Sequence, residues 1–300
     1  MLWFISALAA PLIWSVTNIV DKALRIHGVK DDLSISWIGL FTQLPVALLL
    51  LFLNSEFDLQ KTLPIFEMLI AGAIWGASTL LWYKALSKEE TSRVVLIMQL
   101  LPIFILILSY LIIDEKLEDK QLISFIFLFA GGFLAAIKKT NLKIKISPAF
   151  WLITTACFFW ALTDVIFKKY ASSFPTFLNA FSWFLLGRCL PSLFVLLSKN
   201  LRHRIICATK ELNYKLIIGI GTNNLFLIIG SLVFAYALTL GPASLTGVFT
   251  GIQPLFVLIF SIVLSRYFKH VESEQLTLKN LAPKGISFIL IMTGMIYSIQ

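Results

Sequence analysis

Two ionisable residues, Asp164 and Arg188, stand within long apolar runs. On insertion scales such a group costs roughly 2.5–3.5 kcal/mol inside a membrane, so each marks a functional position by default. Arg188 lies near the middle of its run. Its planar guanidinium suits a bidentate grip on a solute carboxylate or phosphate. An internal pair with Asp164 is the equal alternative. Asp164 is a candidate for proton coupling, since burial and a neighbouring arginine pull its protonation in opposite directions. The favoured reading makes it a pairing or boundary residue beside Lys168. Amides recur in the same kind of setting: Gln43, Gln99, Asn223, Asn224 and Gln253. They either contact a polar solute or bond across helices for about 0.6–2 kcal/mol each. Gln253 precedes Pro254 and Gln99 lies near Pro102; a proline frees a carbonyl one turn earlier, and matched breaks of that kind point to a site. Trp14, Trp75 and Trp160 lie deep in their runs, where they could shape a cavity. Trp82 belongs to the same aromatic set, and Tyr83 and Tyr236 sit nearer run ends, as interfacial aromatics do. The candidate binding set is Trp14, Asn18, Trp75, Trp82, Gln99, Trp160, Asp164, Arg188, Asn223, Tyr236 and Gln253. No nucleophile–base pair falls at one depth, so no catalytic residue is assigned.

The elements that position these residues follow from composition. Of 300 residues, 58% are hydrophobic and 14% charged, and mean hydropathy is +0.88. A soluble domain carries about a quarter charged residues. The apolar runs lack a polar stripe, which makes lipid their solvent. Net charge is +9, yet Lys and Arg fall between the runs, as topology-setting loop residues do. With no glycine-rich phosphate loop or zinc spacing, nucleic acid is not an expected partner and no cofactor or metal is expected. Cys157, Cys189 and Cys207 show no paired spacing and read as reduced. Residues 1–15 contain Ala7-Leu8-Ala9 but no basic n-region, so they are expected to stay as a span. Ten spans result: 2–20, 35–53, 65–86, 94–113, 121–137, 149–167, 177–197, 216–240, 245–264 and 284–299. The interruptions 199–215 and 266–284 read as the longest loops.

The run 150–170 repeats the N-terminus. A shift of 146 residues lays Trp14 on Trp160, Thr17 on Thr163, Asn18 on Asp164, Lys22 on Lys168, Trp37 on Trp183 and Pro45 on Pro191. A shift of 152 lays Ala85-Leu86 on Ala237-Leu238, Ser92 on Ser244, Pro102 on Pro254 and Phe104 on Phe256; after a ten-residue insertion Gly132 meets Gly294. The units are 1–140 and 147–300. Each holds five spans, an odd number, so the second must cross in the opposite sense, with a site expected at their interface near mid-membrane. Asn18 against Asp164 makes the halves chemically unequal. Loops on one side carry 5 basic residues and those on the other 19. The positive-inside rule then places both termini outside.

These motifs carry a resemblance along nearly the whole chain: Trp14-Ser15-Val16-Thr17-Asn18 with Lys22, Tyr83-Lys84-Ala85-Leu86, Leu101-Pro102-Ile103-Phe104, Asp114-Glu115-Lys116 and Gly131-Gly132. Trp160-Ala161-Leu162-Thr163, Tyr236-Ala237-Leu238 and Gln253-Pro254-Leu255-Phe256 answer them in the second half. The chain resembles the drug/metabolite transporter superfamily in its EamA-type ten-helix branch. It departs at Thr42-Gln43, where the family usually has an Arg, and at Ser265-Arg266. The resemblance implies a polytopic protein, all-α in fold class, with ten transmembrane helices in two inverted five-helix repeats. Spans one, three, four, six, eight and nine would line a cavity, and both termini would be cytoplasmic, against the loop charge. It implies a multi-pass protein of a bacterial inner membrane.

The expected partners are the lipid bilayer, a small organic solute such as an amino acid or related metabolite, and protons or another coupling ion. Two alternatives stay open: a proton-coupled exporter of cationic drugs, and a membrane scaffold that transports nothing.

Overall fold

The computed structural model describes residues 2–53, 62–116, 119–140, 143–210, 212–267 and 278–299. Helices α1 (Leu2–Ala23, extended by a π turn over Leu24–Gly28), α2 (Asp32–Leu53) and α3 (Thr62–Leu86) open the chain. The next run is split into α4 (Thr91–Ile97) and α5 (Leu101–Ile113), and α6 (Asp119–Ala136) follows. The second half holds α7 (Pro148–Ala171), α8 (Phe177–Val195), α9 (Lys199–Lys210) and α10 (Tyr214–Leu240). It ends with α11 (Ala243–Val248), α12 (Gln253–Tyr267) and α13 (Leu278–Ile299). Among the described residues eight helical stretches are long and apolar enough to cross a membrane, and Ala282–Tyr297 is a shorter apolar helix. The sequence-derived insertion in the last loop falls largely on 268–277, outside the described residues, as does Lys61, one of the 5 basic residues counted on the less basic side.

Two places depart from the sequence reading. The supposed loop after α8 contains α9, a basic helix that buries Ile205 and leaves Arg202 and Arg204 outward. An antiparallel ribbon, β1 (Ile137–Thr140) with β2 (Lys143–Ile146), joins the halves, so the fold is not wholly helical. Lys143–Ile146 reads K-I-K-I, an alternation of period two that suits a strand and gives a helix no apolar face.

The fourth and ninth runs break at matching places. Met98–Leu100 and Phe249–Ile252 are 3-10 turns, directly ahead of Pro102 and Pro254. Each proline lacks the N–H that would bond the carbonyl four residues back and crowds that carbonyl. The Met98 carbonyl accepts the Leu101 N–H instead, and Cys157 Sγ also approaches it at 3.7 Å.

Contacts at the two ends fix the directions of α1 and α7. Trp3 packs against Gly241 and donates from its indole to Thr246 Oγ1 at 2.8 Å. Lys168, near the end of α7, donates to the Gly241 carbonyl at 2.6 Å. The start of α1 and the end of α7 therefore share one end of the molecule. At the other, Lys22 donates to the carbonyls of Leu86 (2.6 Å) and Glu89 (2.9 Å), and Ser147, just ahead of α7, donates to Glu89 Oε2 at 2.7 Å. We term this the basic end: Arg25 bonds Asp32, Arg204 bonds Asp31, Arg93 approaches Glu89 and Lys284 bonds Glu90 there.

Glycines set the closest helix approaches. A Cβ at Gly72 would overlap the Phe184 carbonyl and lie 2.7 Å from Arg188 N; one at Gly76 would overlap the Arg188 carbonyl, and one at Gly187 the Leu69 carbonyl. Helices α3 and α8 thus touch backbone to backbone, the usual role of small residues where helix association cannot rely on expelling water. Helices α6 and α13 do the same, with Gly131 against Ser287 and Gly294 against Ser124, whose hydroxyl donates to the Gly294 carbonyl at 2.6 Å.

Candidate functional site

A cavity of about 100 Å³ lies between the halves, bordered by the broken runs and by α1, α2, α3, α7, α8 and α10. Helix α2, through Ser36, Gly39 and Gln43, and α8, through Phe184, contribute wall beyond the helices expected. The wall is mostly aromatic. Trp75 and Trp82 stand 6.0 and 6.3 Å from Trp160, ring centre to ring centre, giving a row of three indoles. Trp14 faces Phe234 at 5.1 Å from across the cavity, its indole pressed onto Gly230, where any Cβ would displace it.

Several polar atoms in this wall have no protein partner. Trp14 Nε1, Asn18 Nδ2, Trp160 Nε1 and Gln253 Nε2 are donors of this kind, and Gln43 Oε1 is an acceptor. Buried polar groups in a folded chain are nearly always paired, so a cluster of unpaired ones around a cavity is the mark of a place for another molecule. Trp14 and Trp160 occupy the same position in the two halves, and an indole N–H can only donate.

Of the expected binding residues, Trp14, Asn18, Trp75, Trp82, Trp160, Asp164 and Gln253 line the cavity. Four are placed elsewhere. Gln99 turns its Nε2 to the Val95 carbonyl at 3.1 Å. Tyr236 meets Phe177 edge-on at 5.2 Å. Asn223 stands behind the wall and donates to Asp21 Oδ1 at 2.7 Å. Arg188 lies beneath Trp75, its guanidinium carbon 3.4 Å from the ring centre. It is fully buried, makes no hydrogen bond through any guanidinium nitrogen, and has Asp164 within electrostatic reach. The two are neighbours without a hydrogen-bonded pair between them.

Asp21 is a wall residue absent from the expected binding set, since it falls just beyond the first span read from the sequence, 2–20. Trp14, Asn18 and Asp21 are spaced i, i+4, i+7, one face of a helix, and that face continued is the signal that could have found it. Its carboxylate accepts from Trp82 Nε1 (3.0 Å), Tyr83 OH (2.9 Å) and Asn223.

Outside the spans, Glu115 ties the end opposite the basic one. It accepts from Lys168 Nζ at 2.6 Å and from the N–H groups of Ala243 (2.8 Å) and Ser244 (3.1 Å) at the start of α11. Burial works to raise its pKa, but the Lys168 bond and the two N–H donors outweigh it and hold the carboxyl below its ordinary value. Among the described residues no group of three His, Cys, Asp or Glu gathers as a metal site.

No curated protein matches the chain. Among solved structures 27 chains match. One, described only as a protein crystal structure, superimposes with a TM-score of 0.64 at 13% identity, over 98% of this chain and 96% of its own; at that identity the likeness is one of fold. The model of the EamA-like transporter family matches twice, over residues 1–137 and 147–297. Two tandem matches, meeting at the β ribbon, place the chain in the EamA-like transporter family of membrane transporters.

Proposed function

We propose that this transporter is a ten-helix carrier built of two inverted five-helix units, 1–140 and 147–300, and that it moves a small organic solute bearing a carboxylate, an amino acid or related metabolite. The opposed directions of α1 and α7 support the inversion. With an odd number of spans in each unit, a solute held between them is presented to either side in turn. The chain would sit in a bacterial inner membrane and draw on an ion gradient, most simply protons.

One observation carries the solute class: the unpaired indole and amide N–H donors of Trp14, Asn18, Trp160 and Gln253 in one cavity wall. They ask for an acceptor-rich group. Arg188 adds charge from behind Trp75. At about 7 Å, one ring thickness beyond its stacking distance, a guanidinium is worth on the order of 2 kcal/mol to a carboxylate at an effective dielectric of ~20. That is comparable to a single charge-assisted hydrogen bond.

Uptake into proteoliposomes tests this. Arg188→Ala is expected to lose uptake of anionic and zwitterionic solutes while a neutral solute is spared; equal transport of all three would remove Arg188 from the site. A second reading has a specific observation in its favour: the two charged residues in the cavity wall, Asp21 and Asp164, are both acidic. That suits a proton-coupled exporter of organic cations. Asp164→Asn would abolish resistance to lipophilic cations under this reading and leave amino-acid uptake standing under the first.

A further inference from the structure

Asp21 is fixed without being neutralised. Its three donors, an indole, a phenol and an amide, are all uncharged. The nearest lysine in sequence, Lys22, spends its ammonium on the carbonyls of Leu86 and Glu89. A carboxylate has about four acceptor sites, so one remains, on a residue that lines the cavity and is 5% exposed. A carboxylate at this depth is costly until a positive group meets it.

The atoms around it say which positive group. Gln43 Nε2 donates to Asn224 Oδ1 at 2.9 Å, and Asn224 Nδ2 donates to the Ile220 carbonyl at 2.9 Å. This chain of bonds fixes the Gln43 amide so that its carbonyl oxygen is the atom left over, buried in the cavity wall without a partner. Asn224 follows Asn223, which itself holds Asp21, and Gln43 and Asp21 both line the cavity, so acceptor and carboxylate face one space walled by α1, α2 and α10. A hard divalent ion would need six or more oxygens; this cluster points its N–H and O–H groups at Asp21 and leaves two acceptors. An ammonium, with three donors and an affinity for the faces of Trp and Tyr, fits what remains.

We infer that Asp21 and Gln43 seat a primary ammonium group of the transported solute, toward the basic end of the cavity. This rests on reading the cavity as the solute's path. It also divides that path chemically: an amine is held at Asp21, and acceptor groups are held by the N–H donors of Trp14, Asn18 and Gln253.

The test compares 2-phenylethylamine with 2-phenylethanol, which has nearly the same shape, by thermal stabilisation of the purified full-length protein at neutral pH. The amine is expected to act at about tenfold lower concentration than the alcohol, a difference of about 1.4 kcal/mol. Asp21→Asn, which keeps the side-chain shape and one of the two acceptor oxygens but removes the charge, is expected to bring the ratio to about one. Gln43→Leu leaves the carboxylate in place and is expected to lower the ratio as well, which covers the case of an Asp21 variant that does not fold. Equal action of amine and alcohol on the wild type overturns the inference, as does an amine preference that survives both substitutions or follows Asp164→Asn alone. Counterflow in proteoliposomes separates the two claims. An amine preference set by Asp21 with no solute moved sinks the transport reading alone; solute movement with no amine preference sinks the ammonium seat alone.

Discussion

Lys168 donates to the carbonyl of Gly241 at 2.6 Å, and Lys22 makes the corresponding bond to Glu89 at 2.9 Å. The two lysines are 146 residues apart and the two carbonyls 152, so the repeat seen in the sequence recurs as one hydrogen bond made at opposite ends of the molecule. Lys168 also donates to Glu115 Oε1 at 2.6 Å. Lys168→Met strips that carboxylate of its cation and the Gly241 carbonyl of its donor. We expect a loss on the order of 1–3 kcal/mol, because the pair is less than a quarter exposed. The double variant with Glu115→Gln should recover part of it. Thermal midpoints of the single and double variants in detergent decide; strictly additive losses would show that the pair is not coupled.

Protonation of Glu115 should loosen the same junction. Its pKa is held below the ordinary value, so its contribution is fully present above about pH 4.5 and fades as pH falls through the folded-state value. Thermal stability of the wild type is therefore expected to drop on acidification past about pH 4.5 more steeply than that of Glu115→Gln. Parallel curves for the two proteins would contradict this.

The α3–α8 seam makes a prediction with its own control. Gly72→Ala drives a methyl into the Phe184 carbonyl and the Arg188 nitrogen, at an expected cost of about 1–3 kcal/mol. Gly221→Ala, in α10, meets nothing within 4 Å and should be neutral or stabilising by up to about 1 kcal/mol, as alanine restricts the unfolded chain. Equal midpoints for the two variants would mean the seam yields without strain.

Orientation can be read from the native cysteines. Cys207 is exposed on α9, at the basic end, while Cys157 and Cys189 are buried. If the basic end faces the cytoplasm, as loop charge requires, a membrane-impermeant maleimide labels Cys207 in inverted vesicles and leaves intact cells unlabelled. Labelling of intact cells would place both termini inside.

Trp14 and Trp160, Pro102 and Pro254, and the polar positions Asn18 and Asp164 were legible in the sequence because each is costly in lipid and each recurs at a fixed shift. What that reading could not supply was direction across the bundle. It gave Arg188 its depth but not its place behind Trp75, since which side of α8 faces the cavity depends on the glycines that draw α3 against it. Asp21 was missed for a related reason. A carboxylate near the end of an apolar run looks like a boundary residue until Trp82, Tyr83 and Asn223, distant in sequence, close around it. The strands and α9 escaped because their patterns are short and lie between strong apolar runs. The family match supports the transporter class, and the cavity's contents are where the residues must speak for themselves.

The glycine seam has one more implication. Applied to Gly72 and Gly76, the shift of 152 gives Asn224 and Ile228, so α10 carries side chains where α3 presents bare backbone to its neighbour. A carrier made of identical halves would part on either side with equal ease. Here the two seams differ: α3 and α8 meet backbone to backbone, while α2 and α10 meet through the Gln43 and Asn224 side chains, bonded at 2.9 Å. Under the proposed alternating access, dwell times on the two sides are expected to differ, with the slower side setting the turnover rate.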